Sequence, residues 1–221
     1  MWGIIALVLC VLLLLKAISG KLKINAAERV FDKIDIPCSI LLIVVIVIHC
    51  ITTIKVWDTR NVMVLVSGFL AAGMIIVLTA GYFLKARLRD RWNLLDRRGA
   101  LLMVLLVAGH IALFAADFAS YKKSISAIEI AGMDADRLKD GVYEGEYDAG
   151  YIYAKVSVVV ENGRIRDIKI LKHDNERGKA AEAIIERIIE QQSTRVDAVT
   201  GATNSSLVIM KAIENALGKG K

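Results

Sequence analysis

The 221-residue sequence has few of the residues that mark disordered chains, disulfide scaffolds or soluble redox centres. It contains one proline, which argues against a disordered or low-complexity segment. The three cysteines, Cys10, Cys38 and Cys50, all lie in apolar runs without CxxC spacing, so neither a disulfide framework nor an iron–sulfur site is indicated. The sequence also lacks a nicotinamide-binding motif and an evident pair of catalytic acid and base. These absences favour a carrier or a component of a larger system.

The net positive charge of the chain comes from its N-terminal half. Residues 1–120 contain 13 Lys and Arg against 7 Asp and Glu, whereas residues 121–221 contain 16 of each kind. The net charge of +6 therefore lies entirely among apolar segments, where it bears on membrane orientation. It does not indicate a nucleic-acid partner.

Four apolar runs dominate the first half of the chain, consistent with a hydrophobic fraction of 56%. They are Met1–Ser19, Ile36–Ile54, Val62–Leu84 and Ala100–Phe118. A helix needs about 20 apolar residues to cross the hydrocarbon of a bilayer, and only helices satisfy their own backbone there. The sequence thus predicts an α-helical bundle of four transmembrane helices over residues 1–118, held in membrane lipid. The first run is predicted to be a retained helix, because its positive charges follow the apolar residues rather than precede them.

The basic residues between the runs predict the orientation of the bundle. Eleven lie in the first and third loops: Lys16, Lys21, Lys23, Arg29, Lys33, Lys85, Arg87, Arg89, Arg91, Arg97 and Arg98. Four lie in the second loop or just after the fourth helix: Lys55, Arg60, Lys122 and Lys123. Since cytoplasmic loops carry the excess of Lys and Arg, the first and third loops are predicted to be cytoplasmic. Both termini would then lie outside the cytoplasm.

Two of the three histidines, His49 and His110, lie within the second and fourth runs. Ionisable side chains at membrane depth are usually functional. Two imidazoles at similar depth on parallel helices could ligate the iron of a b-type haem. The alternative is that each ring forms a structural hydrogen bond, for example to Thr52 or Thr53. The arrangement resembles small four-helix cytochrome b and ferric-reductase-like membrane domains, although the inner pair of histidines that those domains often carry is absent.

Residues 140–221 have the pattern of a small α+β domain, preceded by a linker or short amphipathic helix at residues 119–139. Alternating residues predict strands, and Glu161–Gly163 has the composition of a hairpin turn. The predicted strands are Gly141–Tyr147, Tyr151–Val160 and Arg164–Lys172, followed by a helix over Gly178–Gln192, a further strand end near Asp197, and a helix from about Asn204 to Leu217.

The segment from Asp197 to Ser206 concentrates hydroxyl groups at the predicted start of the last helix. The first backbone N–H groups of a helix lack partners and can bind an anion, and Gly201 would allow a sharp turn before them. The alternative is an ordinary N-cap, which Ser, Thr and Asn supply on many helices. The residues alone leave both interpretations open.

The motif resembles the D-x-x-(S/T)-G-A-T-x-x-S signature of the FMN-binding domain family, which includes flavin subunits of the Rnf and sodium-pumping quinone reductase complexes. The matching residues are Asp197, Thr200, Gly201, Ala202, Thr203 and Ser206. The resemblance extends over about residues 140–217. It implies that Thr203 carries FMN covalently through a phosphoester bond, attached by a flavin transferase of the ApbE type with FAD as donor. Ser205 and the other motif residues would then line the cofactor site.

His173 stands where the family often has a histidine, which the resemblance places near the flavin ring; it could equally be the end of a strand. The loop that follows, Asp174–Gly178, departs from the Thr-Pro-Gly type of the family. Asp117 lies at the outer end of the fourth run, and Trp57 and Tyr121 lie near the same membrane boundary. These residues could line a quinol pocket or could be interfacial anchors.

Together these features predict a membrane-bound electron-transfer flavoprotein with an extracytoplasmic FMN-binding domain. Electrons would pass between a membrane donor such as quinol, the haem at His49 and His110, and covalent FMN on Thr203, with an extracytoplasmic redox partner as acceptor. The alternative is a non-catalytic membrane sensor or maturation factor that binds flavin reversibly, with both membrane histidines structural.

Overall fold

The structure is a computed structural model that describes residues 2–21, 25–54, 57–84, 87, 90–133, 138–175 and 178–220, with backbone alone for residues 2, 13–14, 16–21, 25–36, 58 and 90–97. The chain divides into two compact units, residues 1–114 and 115–221. The observed division therefore lies a few residues before the predicted end of the membrane domain at 118.

The first unit is built from long helices. Helix α1 spans Trp2–Lys21, α2 spans Asn25–Ile54, α3 spans Val62–Phe83, and α4 begins at Asp90 and continues to Ser126 in the second unit. All four contribute to one buried apolar cluster, whose members are Leu9, Cys10, Leu42, Val45, Ile75 and Met103. Cys10 packs in this cluster, as expected of a free thiol that acts as a small hydrophobe.

Three helices among the described residues are long and apolar enough to cross a membrane. The segments are Pro37–Ile54, Val62–Phe83 and Arg98–Ser126. Many of their large apolar side chains are exposed in the folded chain, as lipid-facing side chains would be; Leu41 and Phe69, for example, are 50% and 52% exposed. Three of the four predicted spans are thus confirmed as candidate membrane helices.

The first predicted span is helical, but its membrane-spanning length stays a prediction. Among residues whose side chains are described, its apolar stretch is Gly3–Leu12, which is shorter than a bilayer requires. Most basic side chains of the first and third loops, which predicted the orientation, lie outside the described residues.

The second unit contains a three-stranded antiparallel sheet in the order β1-β2-β3. Strand β1 spans Gly141–Asp148, β2 spans Tyr153–Glu161 and β3 spans Arg164–Asp174. Asn162 and Gly163 have φ values of 52° and 69°, which is the geometry of the tight hairpin turn predicted there. Alternate β2 residues are fully buried: Ala154, Val156, Val158 and Val160. One face of the sheet therefore forms the core of the unit.

Two helices cover that face. Helix α5 (Ile184–Gln191), preceded by a 3-10 turn over Lys179–Ala183, packs on β3, and α6 (Thr203–Leu217) packs on β1 and β2. Helix α6 approaches the sheet most closely at Gly145, where a Cβ atom would collide with backbone atoms of Ala212 and Ala216. A glycine in β1 therefore permits the close packing that fixes the position of α6.

One prediction about this unit needs correction. The expected strand end near Asp197 is wrong: the segment before α6 is irregular, because side chains rather than a neighbouring strand form many of its hydrogen bonds. Thr194 Oγ1 accepts from the Met133 N–H and donates to Glu214, and Ser206 Oγ accepts from the Val199 N–H. The segment predicted as a linker or short amphipathic helix continues helix α4 to Ser126, and Ile125, Ile128 and other residues of the segment pack against the core of the second unit.

Candidate functional site

A tight turn sets the entry into α6. The Ala202 N–H donates to the Val199 carbonyl at 3.0 Å, and Gly201, the third residue of this turn, has φ of +79°. A type II turn requires a positive φ at its third position, which glycine adopts without strain. The motif glycine is therefore explained by backbone geometry.

The N-terminus of α6 lacks an ordinary side-chain cap. The residue at the N-cap position is Ala202, and no side chain hydrogen-bonds to the first turn from it. The capping alternative for the motif hydroxyls is thus not what the structure shows at this position. Thr203 begins the helix and is exposed. An exposed hydroxyl lies beside backbone N–H groups that retain their capacity to bind an anion.

The two serines that follow are buried and contribute to the turn itself. Ser206 Oγ donates to the Ala202 carbonyl at 3.0 Å and accepts from the Val199 N–H at 3.1 Å. Ser205 is 2% exposed, and a Cβ atom on Gly178 would collide with its Oγ. Ser206 therefore holds the turn in shape, and Ser205 marks where the loop after β3 meets the start of α6.

Asp197 and Thr200 are both exposed. The hydrogen bond at Asp197 is formed by its backbone carbonyl, which accepts from Arg187 Nη1 at 3.0 Å. Its carboxylate has no hydrogen-bond partner among the described residues. It is accessible to solvent rather than engaged with the hydroxyl of Thr203.

His173 lies at the end of β3 with its side chain only 2% exposed. Its Nδ1 is 3.1 Å from Glu182 Oε1, and its Nε2 is buried without a partner among the described residues. A carboxylate only accepts hydrogen bonds, so this contact places a proton on Nδ1. Asn175 Nδ2 then donates to the His173 carbonyl at 3.3 Å. The imidazole is therefore held in one orientation, and its Nε2 can still accept a hydrogen bond.

The structure brings His173 and the motif close through the loop that joins them. The Asn175 side chain lies 3.3 Å from His173 Nδ1. Gly178 packs between Asn175 and Ser205, since a Cβ atom on it would meet both side chains. Residues 176 and 177 of this loop lie outside the described part of the chain. Sequence reasoning missed Glu182, because a carboxylate on a helical pattern gives no sign of its contact with a histidine nine residues earlier.

The two membrane histidines each pack against a glycine of a neighbouring helix. The His49 ring lies against Gly3 of α1, and the His110 ring lies against Gly68 of α3. Thr52 and Thr53 hydroxyls donate to the backbone carbonyl of His49, each at 2.9 Å, and not to a ring nitrogen. Neither threonine hydroxyl therefore forms the structural hydrogen bond to the His49 ring that the sequence offered as an alternative.

His110 is held by Ser67. The Ser67 hydroxyl lies 3.0 Å from His110 Nδ1 and 2.9 Å from the Val64 carbonyl. With its one proton donated to the carbonyl, the hydroxyl accepts from Nδ1–H, which leaves Nε2 as a free electron-pair donor. The described residues contain no group of three or more His, Cys, Asp or Glu that could hold a metal ion. A haem needs only two such ligands.

Comparison with known proteins supports a flavin site in the second unit. Residues 149–218 match the family model of the FMN-binding domain. The chain is also 32% identical over 83 residues to an uncharacterized protein of Treponema pallidum (strain Nichols). This similarity covers 36% of the present chain and 23% of that protein, so the chain spans less than a quarter of the relative's length. The residues matched by the family model include His173, Thr203 and strands β2 and β3, and the match supports FMN as the ligand of this unit.

Proposed function

We propose that the chain is a membrane-bound electron-transfer flavoprotein that carries FMN covalently on Thr203. One observation carries the proposal: an exposed threonine begins an uncapped helix directly after a glycine turn, inside a segment that matches the FMN-binding domain. When bound, FMN would supply one- and two-electron transfer. A phosphoester on Thr203 Oγ1 would keep the phosphate beside the first N–H groups of α6.

The residues around Thr203 fit a flavin phosphate and ring. The uncapped first turn of α6 offers backbone donors to the phosphate, and no carboxylate among the described residues contacts Thr203. His173 would accept a hydrogen bond at Nε2 from a donor on the isoalloxazine, since Glu182 fixes the proton on Nδ1. Attachment by a transferase of the ApbE type would form the bond between Thr203 Oγ1 and the FMN phosphorus, with AMP leaving from FAD and the hydroxyl proton lost to solvent.

The covalent bond is tested by Thr203→Val with Thr200→Val as the matched control. Both are exposed motif threonines, and valine keeps the shape of the side chain while removing the hydroxyl. We expect flavin fluorescence in a denaturing gel, and the mass of FMN in intact-protein spectra, to disappear only in Thr203→Val. Covalent flavin in that variant would overturn the assignment. Flavin that leaves the wild type on denaturation would favour the reversible sensor or maturation factor.

We further propose that His49 and His110 ligate a b-type haem through which the membrane donor, such as a quinol, reaches the flavin. Support comes from two imidazoles on helices of one bundle, one of which has its Nδ1 held by Ser67 and its Nε2 left available. A glycine opposite each ring lets the imidazole pack closely against the neighbouring helix. The haem would supply one-electron transfer. The inner haem of related membrane domains is not proposed, because its histidines are missing.

The haem is tested by visible spectroscopy of the purified protein. His49→Ala and His110→Ala should each abolish the Soret band, whereas His173→Ala, which changes the third histidine, should leave it intact. A Soret band that persists in either membrane variant would assign the ligand to another residue. Wild-type protein with no Soret band would show that the membrane histidines are structural.

A further inference from the structure

Three aromatic rings gather beside the attachment residue, and two of them belong to α4 rather than to the segment that matches the family model. The aromatic cluster consists of Phe118 and Tyr121 on α4 and of Tyr151 just before β2. All three lie in the second unit. The family match begins at residue 149, so Phe118 and Tyr121 are additions of this chain to the matched domain.

One hydrogen bond connects this cluster to the motif. Asn204, the residue directly after Thr203, donates from Nδ2 to the Tyr121 hydroxyl at 2.9 Å. Asn204 is exposed and stands in the first turn of α6. The Tyr121 hydroxyl therefore contacts the residue that directly follows the proposed attachment residue in the sequence.

The rings of the cluster are packed in a fixed geometry. Tyr121 and Tyr151 stack with centroids 4.7 Å apart and an interplanar angle of 12°, and Phe118 lies 6.1 Å from Tyr121 at a tilt of 41°. Tyr151 is 5% exposed and donates from its hydroxyl to Asp117 Oδ2 at 2.9 Å. Buried Tyr151 thus supports Tyr121 from one side, while Tyr121 is half-buried and Phe118 is 42% exposed.

The structure shows the partners of Asp117 and Tyr121. Asp117 and Tyr121 were candidates for a quinol pocket or for interfacial anchors. In the structure both are engaged with residues of the second unit, Asp117 with Tyr151 and Tyr121 with Asn204. An aromatic surface that is rigid, partly exposed and adjacent to a cofactor attachment residue is suited to a planar heteroaromatic ligand.

We propose that Tyr121, supported by Tyr151 and tied to Asn204, contacts the isoalloxazine ring of the flavin on Thr203. The inference rests on the proposed function, since it requires FMN at Thr203. The cluster gives the flavin an apolar, aromatic contact on the side of α4, in addition to the polar contact offered by His173. Tyr121 is a positioning residue for the ring and has no part in the phosphoester bond.

Native flavin fluorescence tests this contact, because a phenol against an isoalloxazine quenches its emission by electron transfer whereas leucine does not. We expect Tyr121→Leu in the full-length protein to raise native emission per bound flavin several-fold. The matched control is Tyr143→Leu, which removes a tyrosine packed against Gly220 at the opposite end of α6. That control should leave emission per flavin unchanged. Flavin content is normalised on the denatured protein.

A second variant keeps the test independent of folding. Tyr121→Phe retains the ring but loses the hydrogen bond to Asn204 and the electron-rich phenol, so native emission should rise in it as well. Flavin-bearing Tyr121→Leu or Tyr121→Phe protein with unchanged native emission would overturn this inference alone. Wild-type protein without flavin on the denatured chain would overturn the covalent assignment and this inference together.

Discussion

At the scale of single residues, the motif requires glycine at position 201 because of the backbone conformation there. A Cβ atom there would meet nothing within 4 Å, so the glycine is needed for its φ of +79° and not for space. Gly201→Ala should lower the free energy of unfolding by about 1–2 kcal/mol through backbone strain. Because the strain falls on the turn before Thr203, flavin content per chain should also fall.

Gly150 supplies a matched control for this prediction. Its φ is +94°, and a Cβ atom would again meet nothing within 4 Å, yet it lies outside the motif. Gly150→Ala should lose similar stability in chemical denaturation while keeping full flavin content in the denatured gel. Equal flavin loss in both variants would show that loading follows overall stability rather than the geometry of the turn.

Tyr153 gives the second unit an alkaline titration that can be measured. Its hydroxyl donates to Glu146 Oε2 at 2.6 Å, and this hydrogen bond is the main reason that the pKa of Tyr153 rises to about 12. The pKa is raised above its unfolded value, so the stabilisation is fully present below the unfolded pKa of about 10 and is lost as pH rises through about 12.

The phenolate absorbance lost in Tyr153→Phe isolates this titration from those of the other tyrosines. Glu146→Gln removes the charge of the acceptor, so the Tyr153 pKa should move down toward its ordinary value. A Tyr153 titration unaffected by Glu146→Gln would show that the carboxylate does not hold the phenol.

At the scale of elements, α6 is joined to the segment after α4 by a buried carboxylate. Glu214 is 4% exposed, and its Oε1 accepts from the Gly132 N–H and from Thr194 Oγ1, each at 2.9 Å. Lys211 Nζ lies 3.2 Å from Oε2. This one side chain therefore joins three parts of the second unit.

Glu214→Ala should destabilise the second unit by about 3 kcal/mol, because it leaves buried donors without their acceptor. Asn215→Ala is the matched control, since the neighbouring amide is exposed and donates once, to the Glu146 carbonyl at 2.8 Å. Its cost should be about 0.5–1.5 kcal/mol. Chemical denaturation measures both, and similar losses would show that the Glu214 contacts contribute little.

The sequence predicted elements well where one pattern dominated. The hairpin turn, the alternating strands and the apolar face of the helix after β3 follow from local periodicity, and the structure confirms them within a few residues. The segment before α6 was mispredicted as strand because its hydrogen bonds involve side chains: Thr194 Oγ1 accepts from the Met133 N–H, and Ser206 Oγ accepts from the Val199 N–H. The length of α4 was underestimated since charged residues beyond the apolar run hid its continuation to Ser126.

The candidate site shows the same limit at finer detail. The motif residues were found from their spacing, and Gly201 from its turn chemistry. Glu182 and Tyr121 were not assigned to the site, because their contacts with His173 and Asn204 depend on tertiary packing. No local pattern encodes a hydrogen bond between residues 83 positions apart.

At the scale of the whole molecule, we expect the second unit to lie outside the cytoplasm. The expectation comes from the excess of Lys and Arg in the first and third loops. Single cysteines can report the side of the membrane, in a background where Cys10, Cys38 and Cys50 are alanine. In intact cells a membrane-impermeant thiol reagent should label Gln191→Cys. Arg87→Cys in the third loop should react only after the cells are permeabilised, and the reverse pattern would contradict the orientation.

The exposure of Thr203, on a helix whose other face is buried, has a consequence for biosynthesis. The core of the second unit is formed by the chain's own side chains, and the attachment hydroxyl stays accessible after that core has closed. The turn that presents Thr203 is held by Ser206, a residue buried against the folded core. On the proposed function, a transferase would therefore distinguish folded from unfolded chains. Flavin would be attached only to chains in which the second unit had already folded. An isolated peptide of residues 197–206 would be a poor acceptor.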